Sequence, residues 1–404
     1  MSVGRGNNKL RLVDRYLGIP LIFCAGLLRS KRSIPKNACS IGLLNTAAIG
    51  DTVLMSAAVA DIRQHYPDAT IVLFVGPSNF QAAELIEGVD HLVHLKVFNI
   101  RQSLQELRRW RLDVLLDFGP WSRLNALYTI LGGARFTVGF RTPSQYRHFG
   151  FDLDVEHSAE VHELENHRRL VRAVGVQPSH LPSLGELNRE SELLSGVSGS
   201  IVCHMWPGGS GAEFKEWPAE RWRAITNAFT KEGYHVILTG SPEQRKLNES
   251  FLSLLDPPVQ AAVSNLAGES LARTARILSQ AALVICVNTG IMHMAAAAHV
   301  PLVALHGPTN VNRWGPISDR AISIVSPHPA SGYLSLGFEH PRGRPPDCMT
   351  CISSELVLEA SHYALERFFS RSEQTSVHGL PLSLRWGVES QARSLNANCR
   401  TPSD

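Results

Sequence analysis

The chain has 404 residues, 44% of them apolar, and a formal net charge of +3. These values exclude a disordered polyelectrolyte, and the length suffices for two cores of ordinary size. Seven cysteines at positions 24, 39, 203, 286, 348, 351 and 399 lack framework spacing, several of them inside apolar runs, which predicts free thiols in a reducing compartment.

The small total hides an asymmetry at the start of the chain. Residues 1–40 hold eight basic side chains against the single acid Asp14, a balance of +7 that leaves −4 for the remainder. Between the basic clusters runs Tyr16 to Leu28, thirteen apolar residues in a row. A membrane-spanning helix needs about 20, and no small-residue cleavage site follows. Residues 1–36 are therefore expected to form a membrane-surface segment on the inner leaflet, with a helix buried under the first domain as the other reading.

From Ser40 onward, β-branched runs alternate with helical periodicity. Strand 40–44, helix 51–65, strand 70–75, helix 79–87, an apolar stretch 91–95, helix 101–110 and strand 114–118 form a βα series. Regularity weakens beyond Gly139, a helix near 160–174 follows, and 177–200 reads as a linker rich in Ser, Pro, Leu and Gly. A second series starts at Ile201, with helix 218–232, strand 235–239, helix 242–254, strand 263–266, helix 270–280, strand 283–287, helix 290–299 and strand 301–305. The fold class is α/β: two Rossmann-like domains, 37–176 and 201–369, facing one another across a cleft, with a polar tail over 370–404. The tail is either disordered or packed back on the first domain.

Four motifs carry chemistry. In Ala48-Ile-Gly-Asp51 the glycine permits a tight turn after a strand, and Asp51 falls at the helix start, where the helix dipole favours an ionised carboxylate able to accept a proton. The same residue read structurally is an N-cap. Pro207 to Pro218 supplies three glycines, the Ser210 hydroxyl and Lys215, a flexible backbone and one cation suited to a diphosphate. Its spacing is not that of a P-loop. Leu266, Ala267 and Gly268 close a third strand. In the stretch from Cys286 to Pro316, Thr289 and Gly290 sit where a helix begins and offer free N–H groups to an anion.

These four motifs in this order resemble glycosyltransferase family 9, the lipopolysaccharide heptosyltransferases, over roughly residues 40–368. The resemblance implies the GT-B fold and inverting transfer from a nucleotide-diphosphate sugar, with ADP-heptose as the usual donor and a lipid-linked glycan as acceptor. It places the general base at Asp51 and a phosphate-contacting lysine at Lys215. Donor contacts follow at Ser210, Leu266, Gly268, Thr289, Gly290 and His293. At position 288 the family pattern has an acid where this chain has Asn288, which keeps a hydrogen-bond acceptor and loses the charge. Gly50, Arg123 and Arg141 are expected on the acceptor side, with solvated surface charge as the other reading of the arginines.

Other patterns are set aside. Asp152-Leu-Asp154 matches a D-x-D metal signature of a different glycosyltransferase fold, and Cys348-Met-Thr-Cys351 has zinc-like spacing with only His340 nearby in sequence. No metal, cofactor or nucleic-acid partner is predicted, and the expected location is the cytoplasmic face of the inner membrane. A nicotinamide oxidoreductase is excluded because the first strand ends in Asn45-Thr-Ala-Ala-Ile-Gly-Asp51 and not in G-x-G-x-x-G. An inactive glycan-binding relative stays open because of Asn288.

Overall fold

The computed structural model describes residues 8–35, 37–185, 196–209, 211–335, 346–369 and 384–386. The chain divides into two compact units, Met1–Asn188 and Arg189–Asp404.

Unit 1 begins with two short helices, α1 (Asn8–Tyr16) and α2 (Gly18–Leu27), followed by β1 (Ser40–Asn45), α3 (Ile49–His65), β2 (Thr70–Val75), α4 (Phe80–Ala83), β3 (His91–His94), α5 (Ile100–Arg109), β4 (Val114–Asp117), α6 (Arg123–Leu131), β5 (Phe136–Arg141), β6 (Leu153–Glu156) and α7 (Glu163–Arg172). The six strands form one parallel sheet in the order β3-β2-β1-β4-β5-β6. Its inner strands are apolar on both faces, as a sheet covered by helices on both sides requires. Leu43 packs with Met55, Val59 and Leu116 on one face, and the next residue, Leu44, packs with Phe74, Leu107 and Tyr128 on the other.

Three elements between Gly119 and Glu156 lie where no regular pattern is legible. β6 is an edge strand whose end residues are exposed, so its apolar and acidic residues show no buried run. Inside β5, Gly139 interrupts the β-branched pattern for a packing reason: a Cβ there would lie 2.4 Å from the Phe151 ring. The expected helix 79–87 shortens to the single turn of α4, after which Leu85 and Ile86 turn into the core. Part of the stretch expected as a linker belongs to unit 1, since the Ser179 and His180 amides both donate to Asp61 on α3.

Segment 8–35 packs against unit 1 through one side of α2. Ile22 is fully buried with Ala126, Ile130 and Phe151. Gly18 allows the approach, since a Cβ there would meet Arg123 at 2.8 Å. Beyond the helix, Arg29 bonds Asp152 at 2.6 Å and the Ile130 carbonyl at 2.9 Å. The backbone N–H of Arg32 also donates to Asp152, at 3.0 Å. Asp152 in turn accepts from the Thr137 amide and hydroxyl. The first aspartate of the D-x-D pattern is thus the buried anchor of the N-terminal segment, and the second, Asp154, pairs with Arg141.

Unit 2 contains β7 (Ile201–His204), α8 (Ala219–Lys231), β8 (Val236–Leu238), α9 (Arg245–Leu252), α10 (Pro257–Ala261), β9 (Val263–Asn265), α11 (Leu271–Ser279), β10 (Leu283–Val287), α12 (Gly290–Ala297), β11 (Leu302–His306), α13 (Val311–Trp314), β12 (Ala321–Val325), α14 (Ser354–Ala364) and β13 (Leu384–Trp386). Seven strands make a parallel sheet, β13-β12-β11-β10-β7-β8-β9. The described part of the tail adds β13 beside β12 and so joins unit 2. At the centre of the core, Trp217 and Trp222 meet edge to face with centroids 4.9 Å apart.

Two measurements test this architecture. Asp152→Ala strands Arg29 and Arg32 beside a vacant anchor and is expected to cost about 3 kcal/mol, seen as a lower urea midpoint and faster proteolysis within 8–35. His204, buried at the end of β7, bonds Thr239 at 3.0 Å, and burial lowers its pKa from 6.5 to about 4. The unfolded chain therefore takes up this proton before the folded chain does, so stability falls as pH drops from 6.5 toward 4 and is restored above that window. Urea melts across this range should show His204→Gln with up to about 3 kcal/mol less pH dependence than the parent chain.

Candidate active site

In each unit, the first strand lies inside the sheet and its neighbours continue in opposite directions. The order reverses between β1 and β4 in unit 1 and between β7 and β10 in unit 2. Loops leaving the carboxyl ends of such a strand pair diverge and leave a crevice where ligands bind. Three of the four sequence motifs occupy these positions. Asp51 follows β1, the Gly-rich loop with Lys215 follows β7, and Asn288 to Gly290 follow β10.

Asp51 is the third residue of α3, within its first turn rather than before it, and its side chain is buried at 9% exposure. The N-cap is Ala48, held at φ 67° and ψ 128°, a backbone state that L-residues rarely adopt and that is retained where surrounding structure enforces it. The bracing is visible. Asn79 donates to the Asn45 carbonyl and to the Thr52 hydroxyl, each at 2.8 Å. The Thr52 hydroxyl bonds the Ala48 carbonyl at 2.8 Å, and the Thr46 hydroxyl reaches Asn125 at the same distance. Gly50 is the second residue of the helix and half-buried beside this loop.

The adjacent strand β4 ends in Asp117, whose carboxylate accepts from the Gly119 amide at 3.0 Å and pairs with Arg147, both side chains being fully buried. Burial pushes the Asp117 carboxyl up, to about 6, against the pull of Arg147 and the Gly119 amide. This pair holds the end of β4 to the turn Arg147–Gly150. Arg141, at the end of β5, is more than half exposed, bonds Asp154 at 3.2 Å, and lines a shallow depression of about 420 Å³ with Thr142, Ser144, Tyr146, His148 and Glu156. Arg123 corrects the sequence expectation. It is 4% exposed and committed to Asp14 of α1 and to the carbonyls of Gln145 and Ser144, so it fastens the N-terminal helix and presents no charge to an acceptor.

In unit 2, the loop after β7 has Gly209 at φ 84° and Gly211 at φ 68°, positive values that need glycine, and leads into the tight turn Ala212–Lys215. A Cβ on Gly208 or Gly209 would meet no atom within 4 Å, so the backbone faces open space. Trp217, 2% exposed and bonded to the Ile352 carbonyl, fixes the loop's far end in the core. Ser210 lies outside the described residues.

Thr289 caps α12 without a side-chain cap bond, and its hydroxyl has no hydrogen-bond partner among the described residues. A helix start with free N–H groups and an uncommitted hydroxyl is suited to an anion. Gly290 opens the helix, and His293 stands one turn in, 6% exposed. The Asn288 amide nitrogen donates to the Trp314 carbonyl at 3.1 Å and faces the Met292 sulfur at 3.6 Å. Its two N–H groups are thereby used within the protein. Arg313, buried beside it, lies 4.6 Å over the Trp314 ring.

Leu266 and Gly268 follow β9, two strands from β7 and hence roughly 10 Å along the sheet edge. Leu266 is half-buried, and its amide and that of Gly268 already bond the carbonyls of Leu238 and Gly240. Among the described residues no group of three or more His, Cys, Asp or Glu is placed to hold a metal ion. Beside Cys348 stands His328, with its ring nitrogen 3.8 Å from the sulfur; His340 lies outside the described residues. Sequence reasoning missed Asn79, Asn125 and the Asp117–Arg147 pair, because their partners lie 27 to 79 residues away.

Comparison with known proteins agrees with this geometry. The profile of Glycosyltransferase family 9 (heptosyltransferase) matches residues 100–334, more than half of the chain. Lipopolysaccharide heptosyltransferase 2 of Escherichia coli strain K12 is 27% identical over 296 residues, covering 68% of this chain and 84% of that protein. Among solved structures, the Escherichia coli ADP-heptose LPS heptosyltransferase II superposes with a TM-score of 0.66 at 21% identity, over 81% of this chain and 99% of the other. A family 9 glycosyl transferase from Veillonella parvula gives 0.68 at 19%, over 83% and 99%. The fold is that of the GT-B glycosyltransferases. The chain belongs to glycosyltransferase family 9, the heptosyltransferase family, and is a transferase.

Asn288 gives this site its own test. An aspartate there cannot donate to the Trp314 carbonyl and would set oxygen against oxygen. Asn288→Asp is expected to destabilise unit 2 by roughly 1–3 kcal/mol, read as a lowered melting temperature with faster amide exchange over 311–316.

Proposed function

We propose that the chain is an inverting glycosyltransferase that moves a sugar, heptose from ADP-heptose, onto a lipid-linked glycan of the lipopolysaccharide core at the cytoplasmic face of the inner membrane. The observation that carries this reading is the coincidence of Asp51, the Lys215 loop and the bare Thr289 helix start with the switch points of the two sheets. One of the named relatives is an ADP-heptose LPS heptosyltransferase, which supports this choice of donor.

Unit 1 supplies the base. Asp51 takes the proton of the acceptor hydroxyl as that oxygen attacks the anomeric carbon, and the bond to the diphosphate breaks with its electron pair leaving on the diphosphate oxygen. Unit 2 holds the donor. Lys215, the Ser210 hydroxyl, Thr289 and the N–H groups opening α12 stabilise the negative charge that accumulates on the leaving group. His293 supports the same helix turn, the backbone around Leu266 and Gly268 borders the nucleoside end, and the Asn288 oxygen orients a donor hydroxyl. Gly50 and Arg141 face the acceptor, the arginine matching its anionic groups.

Replacement of the acid by Asn288 favours a second reading of donor choice within this same chemistry, a different nucleotide sugar. A thermal-stabilisation screen with ADP, UDP, GDP and their sugar conjugates separates the two: stabilisation by ADP and ADP-heptose supports heptose, and preference for another nucleotide assigns the other donor. For the mechanism, Asp51→Asn should lower kcat by about 10²- to 10⁴-fold while leaving nucleotide stabilisation intact. Undiminished turnover in that variant would overturn the assignment of the base.

A further inference from the structure

The helix α2, with sequence Gly-Ile-Pro-Leu-Ile-Phe-Cys-Ala-Gly-Leu, carries no charged residue on any side. A helix apolar all round is normally buried all round. This one is buried on one side only. Ile22 and Gly18 face α6 and Phe151, while the opposite side leaves Leu17 61%, Leu21 53%, Phe23 38%, Leu27 86% and Leu28 89% exposed. Phe149, itself 42% exposed, extends this surface from the turn Arg147–Gly150, its ring 4.2 Å from that of Phe23. Single exposed leucines are ordinary. A continuous row of them calls for a second apolar partner.

Length and charge identify the partner. Ten residues of helix rise about 15 Å, half the thickness of a bilayer core, and among the described residues no helix is long and apolar enough to cross a membrane. The face is bordered by exposed Arg15 at the end of α1 and by exposed Lys31 just beyond α2. Asp14, the one acid among residues 8–35, is tied to Arg123, and Asp152 is taken up by Arg29 and Arg32, so neither acid offsets Arg15 and Lys31. An apolar face with a cationic rim fits the boundary between acyl chains and anionic head groups. A second copy related by a two-fold axis would bring the same cations together, rim against rim.

We propose that the exposed side of α2, together with Phe149 and the Arg15 and Lys31 rim, is a docking surface that seats unit 1 on an anionic lipid bilayer. The surface ends where a polar one begins. Tyr146, 6.4 Å from Phe23, also lines the depression that holds Arg141, Ser144 and His148. A glycolipid embedded in the same bilayer thus presents its first sugars and phosphates to that depression, a consequence that rests on the acceptor proposed above; the docking surface itself does not depend on it.

The test uses the full chain and vesicles of phosphatidylethanolamine with phosphatidylglycerol, against neutral phosphatidylcholine vesicles. The chain should float with the anionic vesicles. Leu21→Asp with Leu28→Asp should reduce that partitioning more than tenfold, and Arg15→Gln with Lys31→Gln by roughly fivefold per charge, both with parental melting temperatures, since all four side chains are exposed. Two natural thiols give a second readout. Cys24 lies on the proposed face and Cys39 at the amino end of β1, and both are exposed, so anionic vesicles should slow alkylation of Cys24 and leave Cys39 unaffected. Absence of flotation, flotation indifferent to the substitutions, equal protection of the two thiols, or a dimer dissolved by the Leu21→Asp and Leu28→Asp pair would each overturn the proposal. Transfer to a water-soluble, deacylated acceptor without vesicles reports on the enzymatic reading alone: failed flotation with intact transfer sinks only the surface, and lost transfer with intact flotation sinks only the reaction.

Discussion

Both sheets are parallel throughout, and this constraint arranges the rest. A parallel sheet must return every chain crossing to the same edge, so all strand-to-helix loops emerge at the carboxyl edge and all helix-to-strand connections at the amino edge. When the first strand lies inside the sheet, two of those loops turn apart, and an opening is obligatory there. Chemistry placed at this opening needs no special cavity. Helix starts supply donors, short loops supply glycines, and the apolar strands below supply rigidity. The polar contacts found in unit 1 serve this end: Asn79 and Asn125 brace the loop bearing Asp51, and the buried Asp117–Arg147 pair fixes the loop on the neighbouring strand.

Rigidity is distributed differently in unit 2. There the loop after β7 is held at its ends, by the Gln244 amide on the Trp206 and Pro207 carbonyls and by Trp217 sunk in the core. Two glycines with positive φ between these ends let the backbone approach a ligand. Asn288 adds a cross-tie from β10 to Trp314, replacing with a neutral donor what an acid at this place would have to do through another partner.

Much of this was legible from the chain alone. The inner strands β1, β2, β4, β7, β10 and β11 are near-continuous apolar runs bounded by glycine, proline or polar residues, and periodicity finds such runs. Elements without an unbroken apolar run or a motif were not legible. β5 contains a glycine required by Phe151, β6 alternates Leu and Val with acids, and α6, β12 and α14 carry no motif that marked them. The candidate residues close in sequence to a strand end, Asp51, Thr289 and Gly290, lie at the strand-to-helix turns that the sequence predicts. Arg123 was misread because charge alone cannot say whether a guanidinium meets solvent or the buried side of a preceding helix. Asp152 was recognised only as half of a pattern, since its partners Arg29 and Arg32 lie 123 and 120 residues earlier.

That separation bears on how the chain is made. During synthesis the apolar stretch 16–28 emerges first, and the carboxylate that will receive Arg29 and Arg32 follows more than a hundred residues later. At 5–20 residues per second this is a delay of roughly ten seconds, for most of which α6, the surface that covers one side of α2, does not yet exist. The N-terminal helices therefore dock only once α6, Phe151 and Asp152 have been made, long after their own synthesis. Until then the emerging chain carries a greasy, positively charged stretch with no protein surface of its own to lie on, and the sheet of unit 1 is assembled before that stretch finds its seat.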